Sequence, residues 1–125
     1  MEYISYEEFK KMDIRLGTIR EVVPVPETDK LLCCQIDFNP SVASTEAMAG
    51  EGGAPALTQI ISGIRESYPD YEKLIGKQVL YIVNLEPRTI KSYESNGMLM
   101  AVDGLDGRPV FLVPEVPVGV GSKVR

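Results

Sequence analysis

The chain has 125 residues, 13 Lys and Arg against 18 Asp and Glu, and a formal charge of -5. That length is the size of one domain, able to bury roughly two thirds of its unfolded surface around a single core without staples. The absence of any histidine removes the commonest general base, the Ser-His and Cys-His nucleophile pairs and most transition-metal sites, and the acidic balance argues against a polyanion binder that is basic all over.

Taken in chain order, Ser5 followed by Glu8 is a capping-box pattern, and Tyr6, Phe9 and Met12 recur at near-helical spacing, which predicts a short helix over about Tyr6 to Met12. From Asp13 the period becomes two: Ile14 and Leu16 alternate with Asp13, Arg15 and Gly17, and the strand continues through Ile19, Val22 and Val23 to Pro24 and Pro26. Gly17 marks an expected bulge or tight bend in it. Leu32, Cys34, Ile36 and Phe38 share one face of a second strand, with Gln35 and Asp37 on the other. Cys33 and Cys34 are neighbours too close for an ordinary disulfide. They are expected to be free thiols of a reducing compartment, one in the core and one partly exposed.

Residues 39–56 are rich in Ala, Gly, Ser and Glu; such a composition cannot bury enough apolar surface to offset ordering entropy, and a mobile inserted loop is expected there. A third strand is predicted over Leu57 to Ile61. A short helix follows in the stretch from Pro69 to Gly76, and the fourth and fifth strands are Val79 to Leu85 and Met98 to Val102. A Gly104 to Gly107 turn then leads to a further strand, Val110 to Val113. This element order predicts an all-β OB-fold: a five-stranded Greek-key barrel with a short N-terminal helix, a short helix between strands three and four, and a C-terminal β extension, as one domain over residues 1–125. No apolar run approaches the roughly 20 residues of a membrane span, and Glu2, Glu7 and Glu8 are not the start of a secretory signal, so a cytoplasmic location is expected.

The most informative stretch runs from Val83 to Ala101. An apolar strand breaks into the proline-bent segment Glu86-Pro87-Arg88, passes Lys91, and resumes at Met98 as a second apolar strand. Arg88 can grip a phosphate bidentately and Lys91 can add a point charge. Asn84 and Ser95 can donate to phosphate or 2′-hydroxyl oxygens, and Met98 offers a flexible apolar surface to a base or ribose. The acids Glu7, Glu8, Asp70, Glu72, Asp103 and Asp106 fall at expected helix starts and turns, where acids are ordinarily solvated. No catalytic site and no metal site is expected.

Asn84-Leu85, Pro87-Arg88 and Glu94-Ser95-Asn96-Gly97-Met98 resemble, in order, the signature of the tRNA-binding domain family. That family occurs as free-standing proteins, as the C-terminal domain or beta subunit of methionyl-tRNA synthetase, and in synthetase cofactors of the endothelial monocyte-activating polypeptide type. The resemblance extends to Phe9 through Gly17, Asp29-Lys30-Leu31-Leu32, Ile61-Ser62-Gly63-Ile64 and Val116-Pro117 with Lys123-Val124-Arg125. It implies the OB-fold and a non-catalytic role without cofactor, recognising the shape of tRNA as an accessory to methionyl-tRNA synthetase. Carried over position by position, it assigns RNA contact to Asn84, Arg88, Lys91, Ser95 and Met98, and also to Lys30 and Ser62. Glu86 stands where the family commonly has lysine and Asn96 where it commonly has glutamine, so one phosphate contact is expected to be replaced by repulsion. The implied partners are tRNA, a methionyl-tRNA synthetase catalytic chain and a second copy of the chain, joined through the C-terminal region. Two other readings use the same fold: a dimeric secretion-type chaperone, and a protein-interaction module.

Overall fold

A computed structural model describes residues 1–38 and 57–125. Strands dominate it. The helix α1, Tyr6–Lys10, begins at the expected capping box: the Ser5 hydroxyl accepts from the Glu8 amide and the Glu8 carboxylate accepts from the Ser5 amide, both at 3.0 Å. It ends before Met12.

Among the described residues nine strands follow: β1 (Ile14–Pro24), β2 (Leu32–Asp37), β3 (Leu57–Ser62), β4 (Gln78–Ile82), β5 (Arg88–Ile90), β6 (Tyr93–Ser95), β7 (Met98–Leu99), β8 (Ala101–Asp103) and β9 (Pro109–Phe111). Five form one antiparallel sheet in the order β3-β2-β1-β4-β7. The expected short helix between β3 and β4 is a single 3-10 turn, Tyr71–Leu74, which places Leu74 in the core.

The long first strand produces the curl. Its first half, Ile14 to Thr18, pairs with β4, and its second half, Thr18 to Pro24, pairs with β2. The two ladders overlap only at Thr18, so the sheet turns on itself as a half-barrel. On the side of the first half that β2 leaves open, the chain's end takes over. Ser122 O accepts from Leu16 N at 3.0 Å, and the amides of Gly121 and Val124 donate to Leu16 O and Ile14 O at 2.9 and 2.8 Å. The barrel is all-β and of the OB type, with a C-terminal extension made of this segment and the β8–β9 hairpin.

Gly17 does not bulge. It stays in register opposite Val79, and the register shift lies between Ile19 and Glu21, at Arg20. A Cβ on Gly17 would stand 2.4 Å from Ile36 Cγ2 and 2.6 Å from Phe38 Cε1, so glycine is required by side chains crossing over it. That crossing is the centre of the core, where Phe38 meets Tyr81 edge to face at 5.5 Å and Leu32, Ile36, Ile60 and Val79 are fully enclosed.

Both cysteines are buried, against the expectation that one would be partly exposed. Cys34 belongs to the barrel core, and Cys33 to a second cluster with Val25 and Ile61 on the opposite face of the β2–β3 ladder. Leu31, Ile90 and Tyr93 cover that cluster. The sheet is therefore apolar on both faces here, because the β5–β6 hairpin folds over what would otherwise be its wet side.

The predicted fifth strand divides into two. Met98 and Leu99 pair with β4, whereas Ala101 to Asp103 turn away to pair with β9. Phe111 is half-buried against the core and stacks on Tyr68 at 4.9 Å. The expected mobile loop, 39–56, lies outside the described residues.

Candidate nucleic-acid interface

The stretch read from sequence as a basic loop is a hairpin. β5 and β6 pair Arg88 with Ser95, Thr89 with Glu94 and Ile90 with Tyr93. The two residues between, Lys91 and Ser92, have φ of 52° and 71°, the left-handed pair that a tight hairpin turn demands and that Asn-Gly ordinarily supplies. No sequence signal announces the turn, since Lys-Ser is not a recognised pair for it. Its consequence is to hold Lys91 at an exposed tip.

Three attachments fix this hairpin to the barrel. Ile90 and Tyr93 pack on the Cys33 cluster. The Ser95 hydroxyl accepts from the amide of Ile61 at 2.9 Å and donates to Gly97 O at 3.4 Å, and the Gln59 side chain donates to Glu94 O at 2.9 Å. Gly97 follows with φ of 141°, and a Cβ there would meet Ile82 O at 2.9 Å. Only glycine lets the chain return to pair with β4 at Met98.

Between the hairpin and its entry strand lies a cleft of about 380 Å³ lined by Leu85, Glu86, Pro87, Arg88, Ser95, Gly97 and Met98. Arg88 and Glu86 are exposed, and neither has an ion-pair partner among the described residues. Met98 is 52% exposed and Leu85 42%. A cation, an anion and two apolar surfaces thus share one opening.

The residues expected to touch RNA divide into two groups. Arg88 and Met98 meet in the cleft, and Lys91 stands at the tip of the same hairpin. Lys30 is exposed and in no ion pair among the described residues, but it does not line the cleft; its neighbour Leu31 packs against the Cys33 cluster that Ile90 and Tyr93 also cover. The rest have structural duties. Ser95 is only 3% exposed with its hydroxyl engaged, and Ser62 is buried opposite Leu32. Asn84 is exposed, but its Oδ1 accepts from Asp13 N at 2.9 Å and its Nδ2 donates to Lys11 O at 2.6 Å. It ties α1 to the end of β4. Sequence reasoning missed Leu85, Pro87 and Gly97 as cleft residues; the break of period at the proline was the available signal.

An antiparallel half-barrel with a cation-bearing cleft beside an appended hairpin has the form of an oligonucleotide-binding module. The profile of the family described as a putative tRNA binding domain matches residues 14–123, and the chain belongs to that family. It is 40% identical over 124 residues to the methionine–tRNA ligase of Parabacteroides distasonis, covering 99% of this chain and 16% of that protein. With the methionine–tRNA ligase of Pyrococcus furiosus the identity is 36% over 126 residues, covering 100% of this chain and 15% of that protein. The chain therefore spans less than a fifth of the length of these curated relatives. Among solved structures it is similar to a MetRS-related protein from Pyrococcus horikoshii, with a TM-score of 0.79, 28% identity and 100% of both chains covered. It is also similar to the CsaA chaperone protein from Picrophilus torridus, with a TM-score of 0.77, 25% identity, and 98% of this chain and 100% of the other covered.

Proposed function

We propose that this chain binds folded tRNA through the β5–β6 hairpin and its cleft, and that it serves methionyl-tRNA synthetase as a non-catalytic accessory that adds tRNA affinity. The observation that carries the reading is the placement of Arg88 and Lys91. Both are exposed and free of ion pairs among the described residues, on a hairpin that buried contacts hold rigid. A hairpin backbone already anchored to the barrel leaves only the side chains to be ordered on meeting phosphate, and an overall charge of -5 does not prevent a local site. The relatives' name and the family's description support tRNA as the partner. No bond-making step is assigned to the domain.

Electrophoretic mobility shift with folded tRNA tests this directly. Arg88→Glu combined with Lys91→Glu abolishes the shift while leaving the melting temperature nearly unchanged, because both positions are exposed. A double variant that binds like the wild type would move the site elsewhere.

We further infer a homodimer. Val110, Val113, Val116 and Val118 are exposed at 45%, 59%, 59% and 36% along the C-terminal extension, a concentration of apolar surface of the kind that interfaces cover. Light scattering at micromolar concentration should give twice 13.8 kDa; the single mass would reject it. A cytoplasmic setting agrees with two free thiols on one strand.

The likeness to the CsaA chaperone protein supports a second reading, capture of unfolded chains. A binding assay with denatured peptide separates the two: peptide binding with no tRNA shift would favour the chaperone.

A further inference from the structure

The cleft at the hairpin is mixed in charge. Glu86 and Arg88 both line it, two residues apart with Pro87 between them, and neither forms an ion pair with the other or with any other described side chain. A site for phosphate alone gains nothing from a carboxylate and is weakened by it. An unpaired cation and an unpaired anion in one opening suit a ligand that itself carries an anion and, a few ångströms away, N–H donors.

A nucleotide has that form. Its phosphate matches the guanidinium of Arg88, and its base offers donors to a carboxylate. The cleft of about 380 Å³ admits one nucleotide and not a stacked run. Its apolar surfaces are Leu85, Pro87 and the half-exposed Met98, whose thioether is a polarizable contact for a base face. The Ser95 hydroxyl, the other polar side chain of the cleft, is committed to Ile61 and Gly97. Glu86 is thus the polar group free to read the base.

Bases differ in what they present to a carboxylate. Guanine carries two parallel donors, N1–H and one hydrogen of N2, which match two carboxylate oxygens. Uracil offers one ring N–H beside two carbonyls that repel a carboxylate. Adenine and cytosine offer one amino group beside an acceptor nitrogen. Unpaired bases in RNA loops expose this edge, whereas paired ones do not.

We infer that Glu86 selects an unpaired guanine, accepting N1–H and N2–H, while Arg88 holds a neighbouring phosphate and Met98 covers the base. This rests on the tRNA-binding reading above and adds a base preference to it. The same carboxylate weakens the binding of RNA that lacks the guanine, so preference and modest affinity have one cause.

Fluorescence anisotropy with four RNA hairpins tests it. Their stems are identical, and each carries one bulged nucleotide: guanosine, inosine, adenosine or uridine. Inosine keeps N1–H and lacks the 2-amino group. The guanosine hairpin should bind about tenfold more tightly than the adenosine or uridine hairpin, with inosine between them. Glu86→Gln should reduce the guanosine preference to about twofold or less while leaving adenosine-hairpin affinity equal or higher. Equal binding of all four by the wild-type protein would overturn the inference and leave tRNA binding intact. A guanosine preference that survives Glu86→Gln would equally overturn it. If folded tRNA, run in parallel, fails to bind the wild type, the tRNA-binding reading falls and takes this inference with it.

Discussion

The hydroxyl of Ser95 accepts the amide hydrogen of Ile61 at 2.9 Å, across 34 positions of sequence. One buried oxygen therefore joins the appended hairpin to β3. Ser95→Ala leaves the Ile61 amide without a partner in a buried place, which costs about 1–3 kcal/mol. Urea denaturation should show that loss. Tyr93, Ile90 and the Gln59 contact to Glu94 O remain, so tRNA affinity under native conditions should fall much less than for the Arg88 and Lys91 variants.

Asn84 is predicted to act through structure. Asn84→Ala removes both the acceptor for Asp13 N and the donor to Lys11 O, and two hydrogen bonds of this kind are worth about 0.5–1.5 kcal/mol each. Asn84→Asp keeps the acceptor and should recover part of the stability. If alanine leaves the melting curve unchanged yet abolishes tRNA binding, Asn84 contacts RNA directly.

Gly17→Ala places a methyl group 2.4 Å from Ile36 Cγ2 and 2.6 Å from Phe38 Cε1. Ile36 and Phe38 are both almost completely buried and cannot step aside freely. A loss of about 1–3 kcal/mol is expected from such overpacking, measurable as a lower urea midpoint. A neutral result would show that the β1–β2 crossing is looser than the contacts indicate.

Salt should weaken tRNA binding steeply. Neutralising three to five phosphates gives a log-log slope of about -2 to -4, and removing Arg88 and Lys91 should flatten whatever binding persists by about 2. A flat response in the wild type would contradict contact through phosphate.

The cysteines set an alkaline limit. Burial pushes the Cys34 thiol up to about 12 from 9.0, with the neighbouring Cys33 adding a smaller push, and burial also raises the Cys33 thiol. The unfolded chain releases these protons first, so it binds fewer protons than the folded chain between about pH 9 and 12. Stability is complete below pH 9 and falls as pH rises through that window. Tyr81, raised chiefly by burial, adds to the same trend. Denaturation at pH 8 and pH 10.5 should show the difference, and iodoacetamide at pH 8 should label both cysteines only after unfolding.

Much of this protein is determined by local pattern. The capping box at Ser5 and Glu8, the period-two runs of β1 and β2 and the break at Pro87 are all properties of neighbouring residues, so they were legible in sequence, as were Arg88, Lys91 and Met98 as exposed members of one segment. The tertiary structure decided the rest. Lys91 and Ser92 turn a loop into a hairpin because Ile90 and Tyr93 gain burial against Cys33 and Ile61, and no residue within the turn announces that gain. Gly17 reads as a bulge in its own strand, but its role comes from Ile36 in β2 and Phe38 just beyond it, whose side chains cross over it. Ser95 and Asn84 read as RNA contacts because their polar groups are available in an extended segment. Folding brings Ile61, Gly97, Asp13 and Lys11 to them from distant parts of the chain, and the hydrogen bonds that form there give them structural work that neighbouring residues could not reveal.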